Sequence, residues 1–232
     1  VGTEQARQRA LACGLSDDSV RITGLPVRPC FAQAAARSPG LTRRQLGLDP
    51  DKPVLLLLSG ADGLGPFCSL VEAVTRSVAG AQVVAVTGRN DRLRNELASK
   101  SWPCPLHVKG FLANIHEWMH AADLLVTKAG PSTIAEALVV GTPMVLSGAI
   151  PGQEPPNVGY VTDTGAAVWA PGPDRAAGAV ERLLSPSSKE LGRMTQCAQQ
   201  AGRPRAAWRA AQVVWRVASR SSAPSAQHEA LA

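Results

Sequence analysis

The chain of 232 residues is 45% hydrophobic and 4% aromatic, with 24 Lys and Arg against 18 Asp and Glu for a net charge of +6. That length allows one large domain or two small ones with a sizeable core, and no apolar run approaches the ~20 residues of a membrane-spanning helix. Five cysteines, at 13, 30, 68, 104 and 197, lie far apart with no Cys-x-x-Cys pair, which argues against a disulfide framework and a zinc ribbon and for reduced thiols.

Charge is unevenly placed. Residues 1–48 carry seven Lys/Arg against three Asp/Glu, residues 49–185 ten against thirteen, and residues 186–232 seven against two. A nucleic-acid binder concentrates its positive charge on the folded core among aromatics, so no nucleic-acid partner is expected. Basic ends suit an anionic surface, lipid being one candidate; ordinary solvated charge is the plainer alternative.

In chain order, residues 3–13 have a helical pattern ended by Gly14, and Val20–Thr23 reads as a short strand before a Pro-bounded connection. Residues 30–48 read as loop and helix. Val54–Leu58 is then a continuous apolar run, as in a strand buried on both faces of a parallel sheet. A helix over 67–79 follows, and the unit repeats: strand 82–87 and helix 91–99, strand 106–109 and helix 113–121, strand 123–127 and helix 132–140. Strand 143–146, helix 157–164, strand 166–169 and helix 174–184 complete the alternation. Strands and helices alternating through short loops predict an α/β fold, a doubly wound, Rossmann-like parallel sheet. Helices are also predicted over 188–200 and 204–219, and residues 221–232 form a Ser/Ala-rich tail expected to be disordered.

In such a sheet ligands bind beyond the carboxyl ends of the strands. That edge collects the turns SGADGLGP (59–66), GRN (88–90), KGF (109–111) and KAGP (128–131), with the loop PGQEPPN (151–157). Gly60, Gly63 and Gly65 follow a strand directly, and glycines there let backbone N–H groups approach an anion. The spacing is neither G-x-G-x-x-G nor a Walker motif. In KAGPSTIAEAL, Ser132 or Thr133 is expected to cap the helix, whose free N–H groups make a second anion site. Glu136 has two readings: the far end of a Thr133-x-x-Glu136 capping box, or an acceptor for two ribose hydroxyls. Gln153, Glu154 and Asn157 stand together on a Pro-stiffened loop suited to reading several hydroxyls. The four histidines have no partners spaced for a metal, no metal site is expected, and no nucleophile elbow occurs.

In the last helix Arg205, Arg209, Arg216 and Arg220 fall within about 60° at 100° per residue, flanked by Trp208 and Trp215. An interfacial helix on anionic lipid looks like this. So does a surface helix packing two tryptophans onto a domain, which is the reading preferred here.

The succession of a glycine-rich loop, GRN, KGF, TKAGPSTIAEA and PGQEPPN, with the opening RQRALACGL…RITGLPVRPCF, resembles the plant and algal monogalactosyldiacylglycerol synthases. These are GT-B glycosyltransferases of family 28, and the resemblance covers about residues 1–218. It implies the C-terminal, donor-binding half of such an enzyme. Residues 1–48 would be the end of an N-terminal domain and its linker, 49–185 the UDP-sugar domain and 186–220 C-terminal helices. It implies UDP-galactose as donor with no cofactor and diacylglycerol as acceptor. A peripheral place at the chloroplast envelope, on an anionic membrane surface, goes with it. By the same resemblance Gly63 and Gly65 approach the diphosphate, and the Gly110-Phe111-Leu112 backbone reads uracil with Arg89 on the base side. Glu136 holds the ribose, Gly130, Ser132 and Thr133 the phosphates, and Gln153 and Glu154 the galactose. Two departures stand out: Ser59-Gly60-Ala61-Asp62-Gly63 replaces the family's GGGEG, bringing side chains to 59 and 61, and Ser132 replaces a glycine. The catalytic base is expected in the N-terminal domain. The alternatives are another UDP-sugar transferase or epimerase of this fold, or a nucleotide-sugar-binding module without activity of its own.

Overall fold

The computed structural model describes residues 1–60, 66–78 and 80–221, the last two by their backbone alone. They fall into two compact units, one spanning Val27–Pro204 and one made of Val1–Pro26 with the chain from Arg205 on. The composition shifts at 49 and 186 therefore do not coincide with these divisions. Phe31 and Leu48 before the sheet, and Met194 and Ala198 after it, are buried in the larger unit's two cores.

In the smaller unit α1 (Glu4–Ala12) starts where the Thr3 hydroxyl accepts the Ala6 N–H at 3.1 Å. The strand expected at Val20–Thr23 does not form. That segment is extended, but among the described residues its backbone bonds are a turn contact, Val20 N–H to Asp17 O at 3.3 Å, and two to Val1, through Thr23 N–H to Val1 O at 3.0 Å and the Val1 amino group to Arg21 O at 2.8 Å. A strand needs a ladder, and two contacts at a chain end do not make one.

The larger unit opens with α2 (Pro29–Ala35) and α3 (Pro39–Gln45), each with proline in the first turn, where a missing N–H costs nothing. It continues through β1 (Val54–Leu58), α4 (Phe67–Ser77), β2 (Gln82–Val86), α5 (Asp91–Ala98), β3 (Leu106–Lys109), α6 (Ile115–Ala121), β4 (Leu124–Lys128), α7 (Pro131–Val140), β5 (Met144–Gly148), α8 (Pro155–Asp163), β6 (Ala167–Trp169), α9 (Pro173–Leu184) and α10 (Glu190–Ala201). The smaller unit ends in α11 (Ala206–Ser221). The rest of the predicted tail lies outside the described residues. Every strand predicted within the sheet is present, with bounds shifted by a residue or two.

The strand order is β3-β2-β1-β4-β5-β6, and all five pairings are parallel. The run of leucines in β1 shows why the pattern lacks alternation. Leu56 points into one core with Phe31, Met119, Ile134 and Leu138; Leu55 and Leu57 point into the other with Val71, Val74, Leu97 and Val180. Each face is apolar because each is covered. At the amino ends of the central strands β1 and β4, Arg43 on α3 pairs with Asp123 at 2.8 Å, while the second Asp123 oxygen accepts the Val54 N–H at 2.8 Å.

Helix α10 closes against α7. At Gly202, its C-cap, an added Cβ would stand 2.5 Å from the Leu138 carbonyl oxygen, so the backbones touch. Gly202→Ala is expected to destabilise the chain by about 1–3 kcal/mol. Gly192→Ala is the control: its Cβ would meet nothing within 4 Å, and removing glycine from a helix interior adds up to about 1 kcal/mol. Urea denaturation midpoints should move in opposite directions.

Candidate functional site

The chain runs outward from β1 to β2 and β3, then returns to place β4 on the other side of β1. The crevice between β1 and β4 is where a doubly wound sheet binds ligands. A cavity of about 540 Å³ opens there, lined by Ser59, Gly60, Phe67, Lys128, Ile150 and Pro173 among others. Lys128 is the charged residue among its described lining. Gly63 and Gly65, expected at the diphosphate, lie outside the described residues, as does Ala61. Ser59, expected to restrict the approach of a ligand, is buried, and its hydroxyl is spent on Val86 O at 3.0 Å and Gly60 O at 3.2 Å.

On the β2–β3 side the structure brings together what the sequence placed there. Arg89 lies over the Phe111 ring at 5.4 Å, and Phe111 is 64% exposed. The pair presents a flat, cation-backed surface of the kind on which a planar base stacks. Gly110 lies in the turn that leaves β3, and the Leu112 side chain packs against the core below.

On the β4–β5 side the cap differs from expectation. Gly130 is the N-cap of α7, Pro131 its first residue, and no side chain caps it. Ser132 and Thr133 therefore sit inside the first turn. Their N–H groups have no backbone partner among the described residues, and Pro131 has none to offer, so two amides face outward at the positive end of the helix. The capping box falls for the same reason: with the cap at 130, Glu136 is a turn too far along. Its carboxyl is raised above the ordinary 4.5 by burial, a rise opposed by the charge of Arg28.

The loop 151–157 is stitched to the KAGP turn. Glu154, 4% exposed, accepts the Lys128 ammonium on Oε1 at 2.9 Å and the Ile150 N–H on Oε2 at 2.9 Å. Asn157 Nδ2 donates to Ala129 O at 3.0 Å. Glu154 thus does not stand free for a sugar, as the sequence reading has it, and Asn157 is also engaged; Gln153 is the exposed member of the three. The sequence reading gave no role to Lys128, which lines the cavity, or to Arg28, whose charge acts on Glu136. The one signal for Lys128 was its position at a strand's carboxyl end, directly before the turn. Elsewhere, His116 stacks edge-on against Phe31 at 5.7 Å, and no metal-binding cluster of His, Cys, Asp and Glu occurs among the described residues.

In α11, Trp208 and Trp215 are 68% and 74% exposed, which overturns the reading that they pack onto a domain. Arg209 and Arg216 are exposed beside them. Arg205 precedes the helix, its carbonyl accepting the Arg209 N–H at 2.9 Å, and the Arg220 side chain lies outside the described residues. No described helix is long and apolar enough to cross a membrane.

A parallel sheet in this strand order, with a bare helix start at the switch point, is a Rossmann-like nucleotide-binding domain, the architecture of the C-terminal domain of a GT-B glycosyltransferase. Comparison with known proteins bears this out. Residues 54–167 match the glycosyltransferase family 28 C-terminal domain, and the chain belongs to that family. It is similar to monogalactosyldiacylglycerol synthase 1, chloroplastic, of Arabidopsis thaliana, 39% identical over 218 residues, with 89% of this chain and 40% of that protein covered. The chloroplastic enzyme of Spinacia oleracea is 36% identical over 218 residues, 89% and 41% covered. The chain spans about two fifths of the length of these relatives. Among solved structures, Anabaena HepE in complex with UDP shares the fold at a TM-score of 0.65 and 18% identity, over 94% of this chain and 63% of that one. MnaA of S. aureus with UDP does so at 0.70 and 15%, over 94% and 60%.

The raised Glu136 carboxyl has a consequence for stability. The folded chain holds that proton more tightly than the unfolded one, so the penalty is absent below pH 4.5 and grows as pH rises from 4.5 through the raised value. Glu136→Gln should therefore be more stable than the wild type at pH 7, with the advantage gone at pH 4, as read from urea denaturation midpoints.

Proposed function

We propose that this chain is the donor-binding half of an enzyme that transfers galactose from UDP-galactose to diacylglycerol with inversion, attached peripherally to the chloroplast envelope. The observation that carries the reading is the convergence of GRN, KGF, KAGP and PGQEPPN on one sheet edge, in a chain 39% identical over 218 residues to a chloroplastic monogalactosyldiacylglycerol synthase. Uracil stacks beside Phe111 and Arg89, reading the backbone from Gly110 to Leu112, and Glu136 takes the ribose hydroxyls. Gly63, Gly65, Gly130, Ser132 and Thr133 receive the diphosphate. Gln153 reaches the galactose from a loop that Glu154 and Asn157 hold in place. The amides at the start of α7 stabilise the negative charge that develops on the departing diphosphate. We assign the acceptor site and the base to the part of the longer relatives that this chain does not match.

Calorimetry should show UDP and UDP-galactose binding weakly to this chain, and incubation with UDP-galactose and diacylglycerol should give no galactolipid. Turnover by this chain alone would refute the half-enzyme reading; no binding of either nucleotide would refute the donor site. Glu136→Ala should weaken UDP about 10- to 100-fold, the worth of hydrogen bonds to a charged acceptor. Unchanged affinity would remove the ribose role.

The basic face of α11 and its exposed tryptophans suit the interface of an anionic membrane. Each Lys or Arg near such a surface contributes about 1 kcal/mol, fading with salt. Changing Arg205, Arg209, Arg216 and Arg220 together to Gln should abolish sedimentation with phosphatidylglycerol vesicles and leave UDP binding intact. Undiminished sedimentation would assign the attachment to another surface.

A further inference from the structure

Lys128 closes β4 at the switch point and lines the cavity between β1 and β4. The two partners in its ion pair are unequally enclosed: the Lys128 side chain is 35% exposed, that of Glu154 6%. The carboxylate is held from its other side as well. Its Oε2 takes the Ile150 N–H at 2.9 Å, and its Oε1 lies 3.6 Å from where a Cβ on Gly130 would stand. Among the described residues the lysine's ammonium has no such second anchor. Its stem passes Gly60, where φ is +84° and a Cβ would come within 3.1 Å of Lys128 Cε, and its ammonium stands at the cavity beside the start of α7. The outward amides of Ser132 and Thr133 belong to that same start.

We propose that Lys128 is a diphosphate-binding residue that works by exchange. In the empty site its ammonium pairs with Glu154. When a nucleoside diphosphate settles on the α7 amides, the ammonium turns to the phosphate oxygens, and Glu154 keeps its hold on Ile150. The proposal rests on the donor-site reading above. The exchange leaves the loop anchored, because Asn157 to Ala129 O and Glu154 to Ile150 N–H do not involve the lysine. It also sets affinity: every binding event breaks one ion pair, and Glu154 draws the lysine back as the diphosphate leaves.

The test is calorimetry of UDP and of uridine with the wild type, Lys128→Gln, Lys128→Arg and Glu154→Gln. Lys128→Gln should weaken UDP about 10- to 100-fold and leave uridine unchanged, while Lys128→Arg keeps most of the UDP affinity. Glu154→Gln should tighten UDP, since the diphosphate no longer competes with a carboxylate for the same ammonium. Three results would overturn the exchange while sparing the donor site: unchanged UDP binding by Lys128→Gln, an equal loss of UDP and uridine in that variant, or a Glu154→Gln that weakens UDP as Lys128→Gln does. In the last two cases the pair merely holds the loop. A wild type that binds neither ligand overturns both readings together.

Discussion

All the strands of the sheet run the same way, and most of the molecule's organisation descends from that. A parallel strand cannot be reached by a tight hairpin, so each connection must cross a face of the sheet. Both faces are then covered and both must be apolar, as the leucines of β1 show by pointing alternately into two separate cores. Polar chemistry has no place on those faces. It is driven to the strand ends, and since the strands are parallel, all their carboxyl ends emerge together. Turns far apart in sequence thereby come to share one rim.

At that rim two glutamates meet opposite fates. Glu154 is almost wholly enclosed, yet an ammonium and a backbone N–H take its two oxygens. The ion pair also ties the loop after β5 to the turn after β4. Glu136 is half-buried; the charge of Arg28 opposes the effect of burial, which nonetheless pushes its carboxyl upward. A half-buried carboxylate loses part of its hydration, and that costs stability unless something else is gained from it. Hydroxyl donors from a ligand would offset that loss, which is why the ribose role proposed for Glu136 agrees with its raised carboxyl.

The other unit is built on a different balance. Helix α11 keeps arginines and tryptophans in water, a costly arrangement for the tryptophans and a normal one for the arginines. A water–lipid boundary removes the cost, because the rings enter the interface while the guanidinium groups stay with the phosphates.

The order and type of the larger unit's elements from β1 to α10 were determined by sequence alone, because periodicity and turn residues act over a few positions and parallel strands leave an apolar signature of their own. So was the rim, since topology follows from alternation. Residues 30–48, read as loop and helix, form the two helices α2 and α3. The strand at Val20–Thr23 had the right residues and no ladder to join. The N-cap of α7 was displaced to Gly130 by Pro131, whose ring favours the first helical position. Glu154 looked like a free ligand because its partner Lys128 is 26 residues away, and nothing local announces a contact made across a crossover. The exposure of Trp208 and Trp215 is of the same kind: a helical wheel says which side chains share a face, and only the packed chain decides whether anything covers it.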